Sequence, residues 1–135
     1  MKARFIDTNV FLRYLTADDR VKYNKCKALF ERAVNGGETL VTSDMVIAEV
    51  VWTLLSYYKT PKSEIVEKVS IILNTPNIEV KNYRIITEAL AIYSVQNIDF
   101  IDAYNAVFMK HNKTEEIYSY DKDFDGVDFL RRIEP

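Results

Sequence analysis

Short apolar segments alternate with longer segments of helical periodicity, and this alternation is the feature that most constrains the fold. Five short segments are strand candidates, at residues 3–6, 39–42, 78–80, 117–120 and 129–133. Several of the intervals between them are long enough for two helices. Strands that alternate with helices favour a parallel sheet covered on both faces. The sequence therefore predicts a three-layer α/β/α fold around a central, mostly parallel sheet of four or five strands.

The predicted helices are bounded by residues typical of helix ends. Asp18, Ser43, Asn82 and Asp99 each precede a segment of helical periodicity and favour the N-cap position. Pro61 opens a further helix, because proline is well tolerated in the first turn. The only adjacent glycines, at positions 36 and 37, end the helix that Asp18 begins.

The length of the chain fits one domain, over residues 1–135. No apolar run approaches the roughly 18–20 residues that a membrane span needs. An acid at Asp7 interrupts any signal-peptide core. The single cysteine, Cys26, excludes an internal disulfide and lies on an apolar helix face, where we expect a core position. These features together predict a cytoplasmic protein without a membrane partner.

The net charge of −2 neither supports nor excludes a nucleic-acid partner. Affinity for phosphates usually rests on Lys and Arg, and the chain has 18 of these against 20 acids. If four acids hold a divalent cation, however, 18 positive groups face 16 negative ones and the balance changes sign.

Four acids stand where a parallel sheet would bring them together. Asp7 directly follows the first predicted strand, and Asp121 directly follows the fourth. Glu49 lies in the helix after the second strand, and Asp102 lies near the start of the helix after Asp99. Ligand sites in such sheets lie beyond the carboxyl ends of the strands. The four carboxylates are therefore candidates for one site.

Each acid also has a purely structural interpretation. Asp7 could cap the next helix, and Asp102 lies three residues after Asp99, as in a capping box. Glu49 is the only charged residue in the apolar stretch 45–58, so we expect it to be buried. A buried carboxylate is costly unless it is paired or coordinated, which leaves an ion pair or a metal site.

Residues 121–126 match the opening of a calcium-binding EF-hand loop, with acids at positions one, three and five and glycine at six. The rest of the loop does not match. The twelfth position, which should be Glu, is Arg132, and the usually apolar eighth is Asp128. The segment before the loop is a predicted strand. These mismatches argue against an EF-hand.

Four blocks in order resemble the PIN-domain family, particularly the VapC-type toxins of toxin–antitoxin pairs. The blocks are Phe5-Ile6-Asp7-Thr8-Asn9-Val10, Ser43-Asp44-Met45-Val46-Ile47-Ala48-Glu49-Val50, Asp99-Phe100-Ile101-Asp102-Ala103 and Ser119-Tyr120-Asp121-Lys122-Asp123-Phe124. The resemblance covers essentially the whole chain and implies a PIN-like fold. Any one block is weak evidence, whereas all four at these separations form a specific signal.

The resemblance implies a catalytic and metal-binding quartet, with two auxiliary residues. The quartet is Asp7, Glu49, Asp102 and Asp121, and the auxiliary residues are Thr8 and Asp123. Carboxylates are hard oxygen donors that suit Mg²⁺ or Mn²⁺. The expected reaction is metal-assisted hydrolysis of RNA phosphodiester bonds. The only histidine, His111, falls near a helix end, where a cap or surface role is expected. A triad mechanism would need a catalytic histidine or a reactive cysteine, and the sequence offers neither.

The resemblance also implies an RNA substrate, an inhibitory antitoxin protein and a homodimer. Four tyrosines are either interface residues or core residues: Tyr57, Tyr58, Tyr83 and Tyr93. Two alternatives stay open at this point. One is a PIN-type nuclease that acts in RNA processing or on structured DNA. The other is a non-catalytic module that binds a divalent cation, such as a calcium sensor or a receiver-like domain.

Overall fold

The fold is α/β, with six α-helices and five strands in the part of the chain that the structure describes, residues 2–135. In this computed structural model the chain divides into two compact units, one up to Tyr83 and one from Arg84 onward. Every strand pairing is parallel, as predicted. The strands hydrogen-bond in a sheet of three and a sheet of two, however, and not in one sheet of four or five. The strands contain only two or three residues each, so each offers few backbone groups for pairing.

The first unit contains the three-stranded sheet, in the order β1-β2-β3. The strands are β1 (Arg4–Phe5), β2 (Leu40–Thr42) and β3 (Ile78–Val80), with Phe5 opposite Val41 and Val41 opposite Glu79. Each crossover between neighbouring strands carries two helices, as the intervals predicted. The helices are α1 (Thr8–Thr16), α2 (Arg20–Val34), α3 (Asp44–Ser56) and α4 (Lys62–Leu73).

The core of the first unit is built from the apolar faces of these helices. Phe11 of α1 is fully buried and stacks on Phe30 of α2, with 5.8 Å between ring centroids. Helix α3 contributes Ile47 and Leu54, and α4 contributes Ile65, all of them fully buried. Burial of such side chains contributes about 1.5–3 kcal/mol each to the stability of the fold.

The start of α2 differs by one residue from the prediction. Asp19, not Asp18, is the N-cap, because its side chain accepts a hydrogen bond from the backbone N–H of Lys22 at 3.1 Å. Asp18 instead accepts from Arg13 Nη1 at 3.0 Å and from the Tyr58 hydroxyl at 2.8 Å. Two adjacent aspartates can both cap a helix, and the non-local partners decide which of them does.

The second unit contains α5 (Tyr83–Val95), of which the first residue belongs to the first unit, and α6 (Phe100–His111). The rings of Tyr93 and Phe100 meet edge to face at 5.9 Å. His111 lies 3.1 Å from Glu88, which agrees with its predicted surface role. Strands β4 (Glu116–Tyr118) and β5 (Arg131–Ile133) flank a short 3₁₀ helix, Lys122–Gly126.

Exposed apolar side chains are prominent on α3, where Met45 is 80% exposed and Trp52 is 65% exposed. Of the four tyrosines singled out above, Tyr57 and Tyr83 are exposed, whereas Tyr93 is a core residue. Tyr58 is half-buried. Within residues 2–135, no helix has both the length and the apolar character that crossing a bilayer requires.

Candidate active site

The first acid, Asp7, caps helix α1. Its backbone is extended (φ −86°, ψ 162°), and its Oδ1 accepts a hydrogen bond from the backbone N–H of Thr8 at 2.8 Å. The capping interpretation is therefore correct, but it uses one carboxylate oxygen. Asp7 is exposed, so its carboxylate is accessible to a ligand.

Glu49 is joined to the start of α1 by Thr8. The Thr8 side chain is buried, at 5% exposure, and its Oγ1 donates a hydrogen bond to Glu49 Oε1. Because the two residues are 41 positions apart, this bond fixes a carboxylate of α3 beside the first turn of α1. Thr8, which the resemblance implied as an auxiliary residue, thus orients Glu49 through its hydroxyl.

The expected burial of Glu49 is wrong, since the side chain is exposed. The apolar composition of α3 suggested burial on all sides. In the structure Met45 and Trp52, one turn before and one turn after Glu49, are exposed as well. One face of α3 is thus uncovered, and the exposed Glu49 needs neither a metal nor an ion pair to offset burial.

The end of the first sheet holds these residues in place. The backbone N–H of Ile6 donates to Val41 O at 2.9 Å, which extends the β1–β2 pairing by one residue. The buried hydroxyl of Thr42 donates to Ile6 O, also at 2.9 Å. These bonds fix the residue before Asp7 against the strand that leads into α3. Asp7 and Glu49 therefore lie at the carboxyl end of the sheet, as predicted.

In the second unit, Asp102 lies in the first turn of α6 and is half-buried. Burial raises the pKa of its carboxyl, and the negative charges of Asp121 and Asp99, a hydrogen bond with Asp121 and the charge of Asp123 raise it further. Every charged group that contributes is a carboxylate. Like charges at close range disfavour the ionised form of each other, so this corner of the second unit is a concentration of negative charge.

Asp121 lies three residues beyond β4, because the strand ends at Tyr118 and not at Tyr120. It is the N-cap of the 3₁₀ helix, and its Oδ1 accepts from the backbone N–H of Asp123 at 2.9 Å. Its own N–H donates to Ser119 Oγ at 3.0 Å. The carboxylate of Asp121 is thus held by a tight local turn and is exposed.

Asp99 is an additional acid that the sequence argument treated as a cap. It occupies the N-cap position of α6, but its side chain makes no capping hydrogen bond. Its charge instead raises the pKa of Asp102. The sequence signal was the spacing of three between Asp99 and Asp102, which places both carboxylates on one side of the first helical turn.

The EF-hand interpretation is excluded by the partners of Arg132. This side chain pairs with Asp125, with Nε 2.9 Å from Oδ1 and Nη2 3.3 Å from Oδ2. Its Nη1 also donates to Ser119 O at 3.1 Å. The residue at the twelfth position thus binds the acid at the fifth, and the side chain at the fourth, Phe124, is buried. The segment is a 3₁₀ turn held by an arginine, not a calcium loop.

The donor chemistry of the two clusters fits a hard divalent cation. The first cluster offers Asp7 and Glu49, and the second offers Asp102, Asp121 and Asp99. Burial and the neighbouring carboxylates raise the pKa of Asp102, and a bound cation would favour its ionised form. Among residues 2–135, however, no three His, Cys, Asp or Glu side chains are grouped closely enough to form a metal cage. The carboxylates therefore fit a divalent cation in their charge and in their oxygen donors.

The fold and the carboxylate clusters together define the class of the protein. It is a small α/β protein with an acidic candidate site that follows short parallel strands. Comparison with known families narrows this class. Residues 4–130 match the family model of the PIN domain, and the chain belongs to the PIN-domain family. The resemblance that the four sequence blocks indicated is thereby confirmed.

Two known proteins illustrate the relationship. The chain is 31% identical over 128 residues to a VapC ribonuclease of Aquifex aeolicus (strain VF5), a match that covers 93% of each chain. It is also similar to the crystal structure of Mycobacterium tuberculosis VapC20, a toxin that cleaves the sarcin–ricin loop. That match has a TM-score of 0.42 and 20% identity and covers 97% of this chain and 98% of the other.

Proposed function

We propose that this protein is a metal-dependent endoribonuclease that acts as the toxin of a toxin–antitoxin pair. The observation that carries the proposal is the concentration of carboxylates around Asp102, where every charged neighbour that shifts the pKa is an acid. Such repulsion is costly to the fold, and a bound cation would offset it. The related VapC ribonuclease supports RNA as the substrate.

The residues proposed to take part in the reaction are Asp7, Glu49, Asp102 and Asp121. All four lie within residues 4–130, which match a single PIN-domain model, and this supports their assignment to one reaction. Asp7, Asp102 and Asp121 would hold Mg²⁺ or Mn²⁺ through carboxylate oxygens, with Glu49 as a further ligand. When bound, the ion supplies Lewis-acid stabilisation of the phosphate oxygens and eases deprotonation of the attacking water.

The residues of the chain contribute positioning and proton transfer. Thr8 fixes the orientation of Glu49, so that this exposed carboxylate can accept a proton from an attacking water. The 3₁₀ turn fixes Asp121 through its bond to the N–H of Asp123. Asp123 is an auxiliary acid whose charge adds to the field at Asp102. The chain would thus cleave a phosphodiester without a histidine or cysteine.

The partners proposed for this protein are an antitoxin and a second copy of the chain. The uncovered face of α3 supports a protein partner, since Met45 and Trp52 expose large apolar surfaces on either side of Glu49. An antitoxin segment seated there would cover Glu49 at the same time. The unpaired Cys26 accords with the reducing conditions of the cytoplasm, which is the proposed location.

The proposal is tested by incubating the purified protein with a labelled single-stranded RNA of mixed sequence, with Mg²⁺ or Mn²⁺ or with EDTA. We expect internal cleavage with either metal and none with EDTA. Single-stranded DNA of the same sequence and a structured DNA serve as matched substrates. Preferential cutting of the structured DNA would contradict the assignment to RNA, and cleavage that persists in EDTA would contradict the metal.

A further inference from the structure

The first unit has a groove between α1 and α2 that no part of the proposed reaction uses. It has a volume of about 320 Å³, and its lining consists of Asn9, Val10, Arg13, Lys22, Lys25 and Cys26. Three of these residues are cations and none is an acid. In a chain with a net charge of −2, a groove lined only by positive charges indicates an anionic ligand.

Lys22 and Lys25 are the cations of this groove that are available to bind an anionic ligand. Both are exposed, and within residues 2–135 neither forms a salt bridge of 4.0 Å or less with a carboxylate. Arg13 is held in place by Asp18, to which its Nη1 donates at 3.0 Å. An arginine has five N–H donors, so Nε and Nη2 of Arg13 can bind a second anion while Nη1 holds Asp18.

The floor of the groove is apolar. Val10 and Cys26 are both half-buried, and they line the groove together with Lys22 and Lys25. Cys26 is therefore part of a groove surface and not of the core, where its place on an apolar helix face had suggested it would be. An apolar floor beneath a cationic rim suits a nucleotide chain, which has flat bases and charged phosphates.

The position of the groove on α1 favours a long polyanion over a small anion. Asn9 lies two residues after Asp7 and one after Thr8, the residue that holds Glu49. At a rise of ~1.5 Å per residue, the groove extends along α1 from about 3 Å to about 9 Å beyond Asp7. If one phosphate of an RNA strand lies at Asp7, the neighbouring phosphate of that strand would lie along this groove.

We propose that the α1–α2 groove is an RNA-binding subsite that holds the substrate next to the scissile bond. Lys22 and Lys25 would bind backbone phosphates, Arg13 and Asn9 would donate hydrogen bonds, and Val10 and Cys26 would contact a base or ribose. This inference rests on the proposed ribonuclease function, because it takes Asp7 as part of the cleavage site. It adds the residues that hold the RNA.

The test measures RNA binding without cleavage. Fluorescence anisotropy of a labelled single-stranded RNA in EDTA would compare the wild type with Lys22→Gln and Lys25→Gln. The matched control is Lys27→Gln, which removes the same charge from α2 but lines a different cavity, beside Glu31. We expect each groove variant to weaken binding on the order of tenfold, as for loss of one charged hydrogen bond. The slope of log K against log salt should fall by about 0.7.

Cys26 gives a second readout, because it is the only cysteine in the chain. Burial raises the pKa of its thiol, so alkylation is best followed at mildly alkaline pH. Saturating RNA should slow the alkylation of Cys26 severalfold in the wild type and in Lys27→Gln. At the same RNA concentration, Lys22→Gln should show less protection. Polyglutamate serves as a peptide polyanion for comparison.

Three results would overturn the groove: equal weakening by the Lys22, Lys25 and Lys27 variants, RNA binding that leaves Cys26 alkylation unchanged, or protection by polyglutamate but not by RNA. The last would reassign the groove to an acidic protein segment. Failure of the ribonuclease itself gives a different pattern. Groove-dependent binding without metal-dependent cleavage would refute the catalytic proposal alone, whereas cleavage that is indifferent to Lys22 and Lys25 would refute the groove alone.

Discussion

The hydrogen bond from Thr8 to Glu49 gives a prediction in which activity falls while stability hardly changes. Replacing Thr8 by Val keeps the shape of the side chain but removes the hydroxyl that orients Glu49. Loss of a hydrogen bond costs about 0.5–1.5 kcal/mol of stability. The extra buried methyl contributes about 0.8 kcal/mol in return, since the site is 5% exposed. The net change in the free energy of unfolding should therefore be within about 1 kcal/mol.

Activity should fall much further than stability. Glu49 is exposed, so without Thr8 its carboxylate would turn toward water and lose its fixed orientation. Loss of a group that orients a ligand typically costs about 10- to 100-fold in activity. We expect kcat/KM for RNA to fall by this factor in Thr8→Val, while the melting temperature shifts by no more than about 5 °C.

The matched control is Thr8→Ser, which keeps the hydroxyl and removes the buried methyl. It should retain most of the activity and lose about 1 kcal/mol of stability. The two variants thus reverse each other's pattern. Full activity in Thr8→Val, measured by RNA cleavage alongside thermal melting, would refute a catalytic role for the Thr8–Glu49 bond.

The remaining predictions concern the stability of the fold without metal and the binding of calcium. The pKa of Asp102 is raised in the folded chain, so its contribution to stability is full below its ordinary value of 3.8 and is lost as the pH rises through the folded value. Asp102→Asn should therefore raise the melting temperature in EDTA at pH 7, with a gain that vanishes toward pH 3. Tyr58→Phe removes the hydroxyl that donates a hydrogen bond to Asp18, and it should lower the free energy of unfolding by about 1 kcal/mol. In the same urea denaturation experiment, Tyr57→Phe should match the wild type. Calorimetry should find no tight calcium binding that depends on Asp125, because this residue pairs with an arginine.

Local signals explain the parts of the fold that the sequence predicted correctly. Strand β3 begins and ends where expected, because Pro76 ends the helical pattern before it. Ser43 caps α3 through a bond to the N–H of Val46, as a serine before an apolar helix should. The two helices in each crossover could be predicted from the lengths of the intervals between the strands. Each of these features is decided by neighbours along the chain.

The errors arose where distant residues decide the outcome. Asp18 and Asp19 are equivalent as caps in sequence, and the partner Tyr58, 40 positions away, separates them. Glu49 was expected to be buried because α3 is apolar, but one face of that helix is uncovered. Composition reports how apolar a helix is, and it does not report how much of that helix the fold covers.

The residues of the candidate site stay a prediction, and their internal contacts could not be read from the sequence. Their positions along the chain and the resemblance of the four blocks led to the proposal of Asp7, Glu49, Asp102 and Asp121, and the family match confirms the family alone. The Thr8–Glu49 bond and the contribution of Asp99 to the field at Asp102 depend on side-chain placement, which no local pattern encodes. The assignment of the quartet to catalysis stays a prediction.

The central claim, that clustered carboxylates catalyse metal-dependent RNA cleavage, is tested most directly by one rate comparison. Cleavage of a labelled single-stranded RNA with Mn²⁺ is measured for the wild type, for Asp102→Asn and for Asp128→Asn, an exposed acid outside the clusters. We expect Asp102→Asn to lose at least on the order of 100-fold in rate, while Asp128→Asn cleaves like the wild type. Undiminished cleavage by Asp102→Asn would contradict the claim.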